Sequence, residues 1–245
     1  MRELASLGKD TVGAALLSTL SDDLALPLVQ IKTTLELLDS PNLTKTQKQL
    51  INSLGLSTEA GLQLLEAYRL ALSLADTTQL PLEPIAIGSV LNDVAHQLTP
   101  LARAYNTELW VDTQGSLKPA LAHQPSLITA LNCLGASLIR VQSANSTKMR
   151  CRILLGAHSD PEGQIITGVF TASSGGISQR ALKAARNLSG KAHQPVLGVP
   201  TGTASGVLVA DMLCSRIWQP LRATRHQNLS GLATLIPISK QLNFV

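Results

Sequence analysis

The chain has 245 residues, of which 44 % are hydrophobic and 15 % charged, a composition that supports a buried core and excludes intrinsic disorder. Aromatic residues make up only 2 %, so the core is aliphatic, and nucleic-acid binding by stacking bases on interleaved aromatics is excluded. The net charge of +4 is mildly basic and scattered, apart from Arg180, Lys183, Arg186 and Lys191, which fit either a solvated helix face or a surface for an anion or acidic partner.

The length suits one large domain or two modest ones. Cys133, Cys151 and Cys214 are odd in number and form no CxxC, and neither they nor the five scattered histidines show metal-ligand spacing. A reducing, cytoplasmic setting is expected. No apolar run approaches the roughly 18 residues of a membrane span, and no secretory h-region follows Met1-Arg2-Glu3.

The first part reads as two long helices. Leu17, Leu24, Ile31 and Leu38 recur every seventh residue, with Leu20, Leu28 and Leu35 between them, so one face carries a coiled-coil-like seam. Ser40-Pro41-Asn42 ends that helix, because proline lacks the donor and fixes φ. Thr44, with Gln47 at capping-box spacing, starts a second helix running to about residue 75. Its inward positions include Leu50, Leu54, Gly61, Leu65, Tyr68 and Leu72, and Asp76-Thr77-Thr78 ends it. A lone hairpin cannot bury its apolar stripe, and two copies make a four-helix bundle, so a homodimer is expected.

After Pro81 the pattern changes. Pro84-Ile85 opens a short strand, and residues 88–104 form an amphipathic helix with Val90, Leu91, Val94, Leu98 and Leu101 on its apolar face. Residues 107–111 alternate as a strand. Ser126 reads as the N-cap of a helix to about Val141. Residues 150–155 and 165–171 read as a strand hairpin, 178–187 and 206–218 as helices, and 232–238 as a last strand. This order predicts a helical hairpin followed by an α/β sandwich, with helices on one face of a mixed sheet. The expected boundaries are 10–77 for the hairpin, 78–83 for a linker and 84–240 for the α/β domain.

Ser21-Asp22-Asp23-Leu24-Ala25-Leu26-Pro27-Leu28 resembles Ser-His-Glu-Leu-Arg-Thr-Pro-Leu, the phosphoacceptor box of sensor histidine kinases. Pro27 weighs most in this likeness: inside a seam-bearing helix a proline costs about 3 kcal/mol, so chance seldom leaves one there. Four further stretches follow in that family's order. Leu82-Glu83-Pro84-Ile85-Ala86-Ile87 resembles the entry to the ATP-binding domain, and 127–141 the helix called the N box. Ala172-Ser173-Ser174-Gly175-Gly176-Ile177 stands where the family has Asp-x-Gly-x-Gly-Ile, and Gly202-Thr203-Ala204-Ser205-Gly206-Val207 where it has Gly-Thr-Gly-Leu-Gly-Leu. The resemblance spans residues 17–238 and implies a dimerisation hairpin joined to an ATPase-type α/β domain.

The same resemblance implies that the chemistry is degraded. Asp22 occupies the place of the histidine that attacks the γ-phosphate, and Asp23 keeps the neighbouring acid, while Ala25 and Leu26 replace the family's Arg and polar residue. The Mg²⁺-holding Asn falls on Ser137, or on Ala136 with a shift of one, and Asn132 is the remaining candidate on that helix. The adenine-binding Asp falls on Ala172, or Ser173 with one gap. Gly176, Gly202 and Gly206 remain, either as turn formers or as part of an anion-cradling loop before a helix. Since phosphoryl transfer relies on positioning and charge neutralisation, the expected function is a dimeric pseudo-kinase that docks a response-regulator receiver domain or another histidine kinase, with no cofactor. The alternative is an unorthodox ATP- and Mg²⁺-dependent kinase or ATPase built on substitute residues.

Overall fold

The computed structural model describes residues 24–38, 43–74, 80–145, 151–172, 179, 182–183 and 204–240. The chain divides into two compact units, Met1–Asp76 and Thr77–Val245.

The first unit contains α1 (residues 24–37) and α2 (Lys45–Ser73). Thr44 caps α2 as the sequence implies: its Oγ1 accepts from the Gln47 amide at 3.3 Å, and the Gln47 side chain accepts from the Thr44 amide at 2.9 Å. Each bond satisfies a donor that the first helical turn would otherwise leave orphaned. Pro27 lies within α1. Ala25, Leu28, Lys32 and Leu35 are half-buried along one stripe. A Cβ on Gly61 would stand 3.2 Å from Leu28 Cδ1, so Leu28 packs on α2 where the glycine leaves room. Lys32 Nζ reaches Glu59 Oε2 at 2.7 Å, and this hydrogen bond holds the ammonium pKa above its ordinary value. Both groups are well exposed, so the pair orients the helices more than it stabilises them. The heptad residues Leu24, Ile31 and Leu38 are 53 %, 45 % and 51 % exposed: they lie beside the seam within the hairpin rather than on it. Leu50 and Leu54, expected to point inward, are also exposed in the single chain.

The second unit is an α/β sandwich. Its strands are β1 (Glu83–Ile85), β2 (Thr107–Thr113), β3 (Ala120–Ala122), β4 (Cys151–Ser159), β5 (Ile165–Thr171), β6 (Arg222–His226) and β7 (Leu229–Ile236). Its helices are α3 (Ile87–Ala104), α4 (Gln124–Asn145) and α5 (Ala204–Ile217). Strands β1 and β3 pair with each other, and the other five form a mixed sheet in the order β2-β4-β5-β7-β6. Only β2 and β4 run parallel in it. The β4–β5 hairpin closes through Asp160-Pro161-Glu162-Gly163, where Gly163 takes φ +81° and Asp160 Oδ1 accepts the Gln164 amide at 2.7 Å.

Side chains alternate across a strand, so the sheet has two distinct faces. Ile153, Leu155, Ala157, Ile165, Val169, Leu232 and Ile236 share one parity and are fully or almost fully buried. Ile87, Val90, Leu91, Val94 and Leu98 of α3 and Leu127, Leu131, Leu134 and Leu138 of α4 supply the helix layer. The opposite parity carries a smaller cluster of Leu154, Phe170 and Ala233, with Ile166 and Leu229 against it.

Some expectations are corrected. The fourth helix begins at Gln124, so Ser126 is not its cap but lies inside the first turn. Its hydroxyl stands 2.7 Å from Nδ1 of His123. The final strand is Leu229–Ile236 rather than 232–238. Strands β3 and β6 carry no sequence signal: the first has three residues, and the second, Arg-Ala-Thr-Arg-His, shows no apolar alternation. The predicted breaks at 40–42 and 76–78 lie outside the described residues, as does most of the predicted helix 178–187, of which Gln179, Leu182 and Lys183 are helical.

Candidate functional site

Helix α4 lies between two neighbours and meets each through a glycine. A Cβ on Gly135 would overlap Leu98 Cδ1 of α3. On the other side, a Cβ on Gly206 would overlap Ser137 Oγ and stand 3.1 Å from the Cys133 carbonyl oxygen. The fold therefore brings together two of the residues picked out by the sequence, Ser137 and Gly206. Ser137 is buried, and its hydroxyl occupies the space that the absent Gly206 side chain leaves at the first turns of α5. Gly206 is needed here for close helix packing, a sufficient reason for glycine without an anion.

Ala172 follows the last residue of β5 and is exposed; a methyl group there offers no hydrogen-bond acceptor. Asp22, Asp23, Gly176 and Gly202 lie outside the described residues. Ala136 is buried on α4. Asn132 is half-buried, and its Nδ2 donates to Gln97 Oε1 of α3. Its Oδ1 is buried without a hydrogen-bond partner among the described residues.

Burial pushes the thiols of Cys133 and Cys214 up to about 12, with Arg140 opposing the rise at Cys133. Asp211 adds to the rise at Cys214, and a hydrogen bond with Thr234 opposes it. Neither is a thiolate near neutral pH, so both act as core packing, not as nucleophiles. Asp211, buried on α5, accepts the Leu221 amide at 2.8 Å and ties the helix to the chain entering β6.

A second polar constellation, not anticipated from the sequence, lies on the sheet face opposite the main core: Asp112, His158 and His226, drawn from β2, β4 and β6. Its members are 46 and 68 residues apart in the chain, and β6 has no apolar alternation, so no local spacing signals the cluster.

Comparison of the sequence with protein-family descriptions and with curated proteins gives no match. The fold does match solved structures. Full-length ShkA, in a complex with AMPPNP, superposes with a TM-score of 0.58 at 20 % identity, over 91 % of this chain and 45 % of ShkA. This is the fold of a histidine kinase core. The chain thus spans less than half the length of that relative. The histidine kinase ThkA, bound to the response regulator TrrA, is similar over 99 % of this chain and 65 % of its own, with 13 % identity and a TM-score of 0.49. A histidine kinase from Burkholderia phymatum STM815 is similar over 92 % and 98 %, with 16 % identity and a TM-score of 0.44. No helix among the described residues is long and apolar enough to cross a membrane.

The histidine-kinase fold implies a nucleotide and a magnesium ion. Ser137 Oγ is directed at Gly206, Ala136 and Ala172 carry only methyl groups, and Asn132 gives its Nδ2 to Gln97 while its Oδ1 has no hydrogen-bond partner among the described residues. Of these groups only Asn132 Oδ1 offers a free oxygen ligand, whereas a Mg²⁺–triphosphate site of the usual chemistry needs several on the ion and an acceptor for the adenine amino group.

The Ser137–Gly206 contact gives a clean test of packing. Gly206→Ala is expected to destabilise the chain by about 1–3 kcal/mol, the usual cost of overpacking. The double variant Gly206→Ala/Ser137→Ala should recover most of this, because the new methyl would meet Ser137 Cβ at an ordinary 3.6 Å. Chemical denaturation of the two variants checks it; equal losses would mean that the Cys133 carbonyl is the obstacle.

Proposed function

We propose that this chain is a histidine-kinase-like module of two-component signalling that has given up phosphoryl transfer and acts by docking. On this reading residues 10–77 form the dimerisation hairpin, 78–83 the linker and 84–240 the ATPase-like domain. The observation that carries it is the state of α4: the position that resembles the magnesium-holding Asn is Ser137, whose hydroxyl is packed onto Gly206. Asp22 in place of the phosphoacceptor histidine supports the same conclusion, because a carboxylate attacking ATP directly would set two anions against each other.

The working surface on this reading is the hairpin. Leu24 and Ile31 on α1, Leu38 just after it, and Leu50 and Leu54 on α2 are apolar and exposed in one chain, which suits burial against a second copy. A receiver domain is the partner class, as ThkA has been solved with its response regulator TrrA. Docking beside Asp22 and along the two helices would let the dimer sequester a regulator or compete with an active kinase.

One observation favours the alternative of an ATP-dependent enzyme using substitute residues. The buried Asn132 Oδ1 has no hydrogen-bond partner among the described residues, and a carboxamide oxygen is a competent ligand for a hard cation.

Calorimetric titration with Mg-ATP and with ADP, at concentrations that detect millimolar binding, separates the two. No heat and no thermal stabilisation are expected. Saturable, Mg²⁺-dependent binding that is lost in Asn132→Ala would overturn the docking-only reading.

A further inference from the structure

The two edge strands of the main sheet, β2 and β6, are four positions apart in strand order. In a flat sheet they would be roughly 19 Å apart at about 4.8 Å per strand. Yet His226 Nε2 at the end of β6 is 2.9 Å from Asp112 Oδ2 on β2. The sheet therefore curls enough to bring the end of β6 within side-chain reach of β2 across the face opposite the main core. Gly156 on β4 makes room for the crossing: a Cβ there would stand 3.1 Å from His226 Cδ2 and 3.1 Å from Phe170 Cε2.

The contact continues on both sides of the His226 ring. Its Nδ1 is 2.8 Å from Nδ1 of His158, and the two ring centroids are 4.9 Å apart. Gln227, the next residue, has φ +52° and donates its Nε2 to the same Asp112 oxygen at 2.7 Å. One carboxylate oxygen thus holds two successive residues of the β6–β7 turn. The His226 side chain is fully buried, whereas His158 is partly open to solvent.

We propose that Asp112, His226 and His158 form a proton-operated latch that straps the β6–β7 turn across the second face of the sheet. Proton counting gives the direction. An ionised Asp112 only accepts, so His226 Nε2 carries a hydrogen. The Nδ1–Nδ1 contact then needs a hydrogen on one ring and a lone pair on the other. The closed cluster holds one proton in that contact and excludes a second. Protonating both rings removes the bond and sets two cations together.

Among the described residues, the titratable groups facing the pair are Asp112 from β2 and Asp160 from the β4–β5 turn; β5 presents Phe170, 5.1 Å from His226 between ring centroids. Burial, and then His226, lower the His158 pKa below the ordinary imidazole value, and Asp160 opposes them. A lowered pKa in the closed state means the latch contributes fully above the ordinary imidazole value of about 6.5 and weakens as pH falls through the lowered one. The inference does not depend on the nucleotide-cleft reading, which concerns α4 and α5.

Hydrogen exchange of the full chain, corrected for intrinsic chemistry, tests it at about pH 7.5 and about pH 5.5. Amides of residues 222–231 should exchange about tenfold faster at the lower pH, as expected for opening linked to one proton over such an interval. Amides of α4 should keep their protection. In His158→Gln the amide still donates to His226 Nδ1 but does not titrate, so the acid-induced rise should vanish. Three results would each overturn the latch: pH-independent protection in the wild type, the same acid response in His158→Gln, or a parallel loss across α4, which would mark global acid unfolding.

Discussion

Gly168→Ala is expected to be among the most damaging small substitutions in the α/β unit. A Cβ at this position of β5 would overlap the Leu232 carbonyl oxygen and lie 2.6 Å from both Cα and Cβ of Ala233. The obstacle is backbone of the paired strand, which no rotamer change can clear. Relief requires moving β7 away from β5 in the middle of a seven-residue register. A loss of about 3 kcal/mol is expected, the upper part of the overpacking range, and Tm should fall by roughly 6–12 °C for a domain of this size. Gly55→Ala on α2 is the contrasting control. Nothing stands within 4 Å of its absent Cβ, so it should gain about 0.5–1 kcal/mol from helix propensity. Thermal denaturation of both variants reads the difference, and an unchanged Tm in Gly168→Ala would refute the packing argument.

The second large effect concerns self-association. The docking reading requires two copies, and Ile31 is the central member of the exposed heptad stripe. Each buried Ile contributes about 1.5–3 kcal/mol, and a symmetric dimer buries two, so Ile31→Glu should weaken the dimer at least about a hundredfold. Light scattering at micromolar concentration should then give one chain's mass for the variant and two for the wild type. Because Ile31 is not part of the seam within the hairpin, helicity should be unchanged. Leu28→Ala, by contrast, should destabilise the hairpin itself, since Leu28 packs beside Gly61. A monomeric wild type would remove the dimeric reading altogether.

Much of this architecture is legible from local chemistry. The Thr44–Gln47 capping box, the apolar face of α3 and the β4–β5 hairpin each depend on residues a few positions apart. Such short-range signals survive in the sequence because they report the helix or strand period directly. Helix α4 starts three residues ahead of a helix capped by Ser126, because serine can cap a helix from outside or bond backwards from its first turn, as Ser126 does to the His123 ring. Strand β6 escaped because an edge strand with a polar pattern gains its place from pairing with β7, not from its own hydrophobic alternation.

The sequence by itself determined the order of the longer elements and the heptad stripe along the first helix, and it set Asp22 and Ala172 where the resemblance expects a histidine and an aspartate. Those are properties of single positions and short periods. Tertiary structure alone decided that the heptad leucines lie outside the intrachain seam and that Ser137 fills the space beside Gly206. It also decided that Asp112, His158 and His226 meet at all. These depend on how two helices are rotated about each other and on how far a five-stranded sheet curls. Both are set by side-chain volumes and missing Cβ atoms from segments far apart in the chain, so no local window of sequence contains them.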